Sequence, residues 1–120
     1  MFQIIFNEIS AAEISKMPTL QQLDLLAGFQ VTPSDLENLD GHRFGSLDRA
    51  GKKLYRYRAG HHRIYFAVED GHVVVHRVLD ANTMKDFLFR SNLGAAEDES
   101  LAKSKHFWKL IEEGEKARRA

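Results

Sequence analysis

The chain has 120 residues, with 17 basic and 17 acidic side chains, a formal net charge of zero and no cysteine. That length fits one domain that can bury roughly two-thirds of its unfolded surface without covalent staples, and disulfides and thiolate metal sites are excluded. No apolar stretch approaches the ~18 residues of a membrane-spanning helix, and the opening MFQIIFNEIS lacks the basic leader of a signal peptide, so a soluble cytoplasmic protein is expected.

In chain order, residues 2–6 form a short Ile- and Phe-rich run that reads as a first strand, bounded by Asn7. Ser10 with Glu13 has capping-box spacing and predicts a short helix, which Pro18 ends. Thr19 with Gln22 offers a second box. Leu20, Leu23 and Leu26 then share one helical face until Gly28. Thr32-Pro33 places proline at a first helical position, so a further turn of helix is expected over 33–39. Residues 42–52, with Gly45 and Gly51, read as a loop.

The strongest pattern follows. In 53–59, Leu54, Arg56 and Arg58 alternate with Tyr55, Tyr57 and Ala59; in 62–69, His62, Ile64, Phe66 and Val68 alternate with Arg63, Tyr65 and Ala67. Gly60 marks one turn and Asp70-Gly71 a second, and residues 72–79 (HVVVHRVL) complete a three-strand antiparallel meander. A helix is expected over 83–91. A C-terminal amphipathic helix is expected around Leu101, Phe107, Trp108, Leu110 and Ile111. The Phe107-Trp108 pair is expected to pack that helix onto the body.

Charge is unevenly spread. Residues 1–40 hold Lys16 against six acids, a net of −5. Residues 42–63 hold seven bases against Asp48, a net of +6, with three histidines besides. Such a block can supply local phosphate affinity on a neutral protein. A solvated hairpin that is merely basic gives the same count, and both readings stand on charge alone.

The element order, with the segment LYRYRAGHHRIYFAVEDGHVVVHRVLDANTMKDFLFRS (54–91), resembles the RelE/ParE superfamily of bacterial toxins. The likeness rests on Tyr55-Arg56-Tyr57-Arg58, Gly60, Arg63-Ile64-Tyr65-Phe66, Asp70-Gly71 and Val73-Val74-Val75. It implies an α+β RelE-like fold, with an antiparallel-dominated sheet (N-terminal strand plus three-strand meander) packed against N-terminal helices. Residues 1–93 would form the toxin domain, and 94–120 a C-terminal helical extension packed on it.

By the same resemblance the protein is the toxin of a toxin-antitoxin system, silenced by a cognate antitoxin. In the RelE branch, it is a translation inhibitor that cleaves mRNA on the ribosome without a metal. In the ParE branch, or in a degenerate relative, it acts by binding gyrase or another protein and does not cut RNA. No metal, cofactor, membrane or small-molecule ligand is expected; the histidine spacing matches no zinc pattern.

Strand parity puts Arg56, Arg58, Arg63 and Tyr65 on one face, taken as open, where guanidiniums on strands about 4.8 Å apart can converge on one phosphate. Arg56, Arg63 and His62 are therefore the catalytic candidates, with histidine moving the proton because its ordinary pKa is about 6.5. Lys52, Lys53, Arg58, Arg77 and Lys85 are the RNA-binding candidates. His76 reads as a packed strand residue, and Arg77, between valines, needs a partner. Two departures keep the binding-only alternative open. Leu54 stands where RelE members often have lysine, and Phe87 and Phe89, with no tyrosine, follow the last strand.

Overall fold

A computed structural model describes residues 2–80 and 97–120. The helix expected over 83–91, the boundary at 93/94 and Lys85 lie outside the described residues. Within them the chain is α+β: β1 (Gln3–Ile5), α1 (Glu8–Ser15), α2 (Thr19–Gly28), α3 (Pro33–Glu37), β2 (Phe44–Arg49), β3 (Lys52–Ala59), β4 (His62–Glu69), β5 (His72–Asp80), α4 (Glu97–Ala102) and α5 (Lys105–Lys116). None of these helices is long and apolar enough to cross a membrane.

The five strands form one mixed sheet in the order β1-β5-β4-β3-β2. β1 runs parallel to β5, and the other four form an antiparallel meander. The β4–β5 turn uses Asp70 and Gly71, both at positive φ (51° and 75°), the pair of left-handed residues that a tight hairpin requires. The meander has four strands and not the expected three. Residues 44–49, read as loop because of their glycines, pair along their whole length with β3, Gly45 lying opposite Arg56.

Both faces of the sheet are covered. On the first, Tyr57, Ile64, Phe66, Val73, Val75 and Val78 pack with Ile14 of α1 and with Leu25 and Phe29 at the end of α2. On the second, Leu47, Leu54, Tyr65 and Leu79 pack with Leu101 of α4 and with Phe107, Trp108 and Ile111 of α5. A β-bulge makes this division possible. Tyr65 pairs with Arg77 while the next residue, Phe66, pairs with Val75, so His76 is extra. The extra residue resets the alternation, so that Val73, Val75 and Val78 reach one face despite their mixed parity.

The bulge is also where the layers are tied. Asn7 Nδ2 donates to the carbonyls of Val75, His76 and Gly114 at 3.1, 3.1 and 2.8 Å. Gly114 lets α5 close on the strand, because a Cβ there would collide with the His76 carbonyl. Asn7 Oδ1 meanwhile accepts from Ser10 N at 2.7 Å, so α1 begins at Glu8, with Ser10 inside its first turn. Ser10 is thus not the cap that its spacing with Glu13 suggested.

The leucine face of α2 lies outward. Leu20, Leu23 and Leu26 are solvent-exposed (76%, 58% and 41%), and Leu25 and Phe29, four residues apart, enter the core. α3 begins at Pro33 as expected, with Thr32 and Asp35 in a reciprocal capping box. The C-terminal amphipathic stretch is two helices, because Ser104 caps a new one through Phe107 N.

Candidate functional site: an arginine face closed by an acidic helix

Parity holds for the arginines. Arg58 and Arg63 are directly opposed in adjacent strands, as are Arg56 and Tyr65, and all four belong to the second face. That face is not open, and this overturns the expectation of solvent-accessible guanidiniums. Arg56 is fully buried and Arg63 is 8% exposed. The physical reason is α4 and α5, whose apolar residues need a surface and take this one.

The acids that open α4 are the partners. Arg56 Nε and Nη2 donate to the two carboxylate oxygens of Asp98 at 3.0 and 2.9 Å, a paired fork. The remaining reach of Arg56 goes to backbone: Nη1 to the His42 carbonyl at 2.8 Å and Nη2 to that of Gly41 at 3.1 Å. Gly45 makes the fit possible, since a Cβ there would strike both Arg56 Nη2 and the Asp98 carboxylate.

Arg63 Nε donates to Glu97 Oε2 at 3.0 Å, and its Nη1 to the carbonyls of Gly60 and His62. The same Glu97 oxygen lies 3.7 Å from Arg58 Nη2, so one carboxylate bridges the opposed guanidiniums. Arg58 is the most accessible of the three, with its side chain 36% exposed, yet its Nε is buried without a hydrogen-bond partner among the described residues.

Tyr65 lies beneath this cluster, fully buried. Burial pushes its pKa well up, the charges of Glu97 and Asp98 push it further, and Arg56 and Arg63 oppose them. The stretch after the last strand offers no tyrosine, whereas Tyr65 stands on the arginine face by parity. Glu97 and Asp98 were missed altogether. Their only signal was a run of three acids, Glu97 to Glu99, in the same chain as a +6 block.

The other candidates are dispersed. His62 precedes Arg63 in β4, so its side chain belongs to the opposite face, which separates it from the arginines as a catalyst. It lines a cleft of about 700 Å³ with Glu13, His61, Arg77, Asp80 and His106. Arg77 finds the partner it needed: Nε and Nη2 donate to the Glu13 carboxylate, with 2.8 Å from Nη2 to Oε2, and Nη1 donates to the Leu110 carbonyl. Glu13 also accepts from Val78 N at 2.9 Å, closing the β5 edge beyond the short β1. Arg77 therefore ties α1, β5 and α5 together.

Lys52 donates to Glu115 at 2.7 Å, and Lys53 stands 5.2 Å over the Tyr55 ring. His76 is buried, as expected of a packed strand residue, and burial lowers its pKa. Among the described residues no group of three or more His, Asp or Glu could hold a metal ion.

No protein-family model matches the chain, and no curated protein matches it.

Proposed function

We propose that the chain is a cytoplasmic toxin of the RelE/ParE type, closed over its own arginine face, whose RNA-directed activity requires helix α4 to move. The observation that carries the reading is the convergence of Arg56, Arg58 and Arg63 on two carboxylates from one side of a sheet. Three guanidiniums gathered on anionic oxygens make a site suited to phosphodiester oxygens and to charge developing on phosphorus. An N-terminal strand beside an antiparallel meander is compatible with the α+β architecture that the resemblance implies. The partners of this reading are a cognate antitoxin and the ribosome with its mRNA.

A second reading is favoured by one specific observation. Arg56 has four of its donor contacts filled by Asp98 and two carbonyls, so in this conformation it has little left for RNA. Under that reading the arginine set is structural and the protein acts by binding another protein, as in the ParE branch.

Induced expression in a bacterial host tests both. Growth arrest with new transcript 5′ ends supports the nuclease reading. Filamentation without new ends supports the binding reading. Unimpaired growth, with the folded protein present, removes the toxin assignment.

A further inference from the structure

We propose that Glu97 and Asp98 are internal stand-ins for phosphate: they occupy a phosphodiester site formed by Arg56, Arg58 and Arg63, and single-stranded RNA and helix α4 compete for it. The inference rests on the toxin reading above for the identity of the RNA, but the competition itself rests on geometry.

Arg58 and Arg63 are directly opposed across β3 and β4. Like charges in that position repel and destabilise a strand pair unless an anion lies between them. Glu97 supplies that anion with a single oxygen, 3.0 Å from Arg63 Nε and 3.7 Å from Arg58 Nη2. The longer contact, and the Arg58 Nε that has no partner among the described residues, leave donor capacity that one carboxylate does not use. A phosphodiester, with more acceptor oxygens spread in three dimensions, can use it.

The tenants are less buried than the hosts. Glu97 and Asp98 side chains keep 19% and 23% exposure, against 9% and 0% for Arg63 and Arg56, so solvent reaches the site from the acid side. α4 is also lightly held. Of its six residues only Ser100 and Leu101 are buried, while α5 has its own anchors in Phe107, Trp108 and Ile111. Lifting α4 withdraws Leu101 from the second core but leaves Phe107, Trp108 and Ile111 of α5 in place. The same movement takes two acidic neighbours from Tyr65, whose proton is held chiefly by burial, while it keeps the two arginines and its packing on Phe107.

The test measures fluorescence anisotropy of a short labelled oligouridylate with the full chain at low salt. E97Q/D98N is expected to bind it about 5–150-fold more tightly than wild type, the range of ordinary site coupling, and adding R58A is expected to abolish the gain. D24N/E37Q, which removes two exposed acids elsewhere, is expected to give no gain. A folded E97Q/D98N that binds no better than wild type overturns the proposal, as does an equal gain in D24N/E37Q.

If E97Q/D98N does not fold, amide hydrogen exchange on wild type decides. Saturating oligouridylate is expected to deprotect residues 97–102, and unchanged protection overturns the proposal. A gain shared equally by heparin, in a protein that leaves growth unimpaired, upholds the competition and removes the RNA-directed toxin reading instead.

Discussion

Arg56 and Asp98 lie 42 residues apart in sequence and meet in a two-pronged ion pair, with Arg56 wholly buried and Asp98 at its solvent edge. The pair joins the sheet to the helix that closes it. Its two halves differ in what their loss entails, because only one of them is sealed from water.

Asp98→Ala is expected to destabilise the fold by about 3–5 kcal/mol, since it leaves a buried guanidinium without its counter-charge. Replacing both partners with apolar residues, as in R56M/D98L, is expected to recover most of that loss. Urea denaturation of the single and double variants measures the difference. Equal destabilisation in both would show that packing, and not the stranded charge, dominates.

Gly45→Ala is expected to act on the same pair from the opposite side. The added Cβ would collide with Arg56 Nη2 and the Asp98 carboxylate, and overpacking of this kind costs about 1–3 kcal/mol. Thermal unfolding should register that loss, and hydrogen exchange should show faster opening of residues 97–102. Wild-type protection of those amides would mean that the pair does not depend on the glycine.

His76 is expected to give the fold an acid-sensitive term. Burial lowers its pKa from the ordinary 6.5, with Lys52 adding to the effect and Glu115 and Glu69 opposing it. The folded state thus binds its proton less readily than the unfolded chain. The stabilisation is complete above pH 6.5 and is lost as pH falls from there through the depressed folded value. Stability measured from pH 7.5 down to pH 5 should fall, and His76→Gln should flatten the slope. An unchanged slope in the variant would assign the effect to carboxylates.

Leu20→Gln and Leu23→Gln are expected to change stability by less than about 0.5 kcal/mol, as substitutions outside the core do. Both leucines are more than half exposed, and α2 is held instead through Leu25 and Phe29. A loss near 2 kcal/mol in either variant would place that face in the core.

The parts of this fold legible in the sequence are those with short-range causes. Alternation in 53–59 and 62–69, the Asp70-Gly71 turn and the Thr32-Pro33 helix start each depend on neighbours within a few residues, and the structure has them. β2 was hidden because Gly45, a strand breaker by propensity, is required there by a guanidinium from the next strand. The three leucines in register mark a face of α2 but not its direction, and Phe29, which reaches the core, lies just past the helix end. The arginine face was legible as a face and not as a buried one. Its cover comes from acids more than 30 residues downstream, and no local pattern links Arg63 to Glu97 or Arg56 to Asp98. The apolar stripe of Leu101, Phe107, Trp108 and Ile111 needs a surface of its own, since the first face already has its helices.

The claim on which the rest depends is that carboxylates of α4 hold the arginines in the free protein. Nitrogen-15 NMR of the arginine side chains at neutral pH tests it directly. Two Nε–H signals, assigned to Arg56 and Arg63 by substitution, are expected to exchange slowly with water, and the Arg56 signal should speed up in D98N and the Arg63 signal in E97Q. Fast exchange of both in wild type, indistinguishable from Arg43 or Arg49, would contradict the closed arginine face.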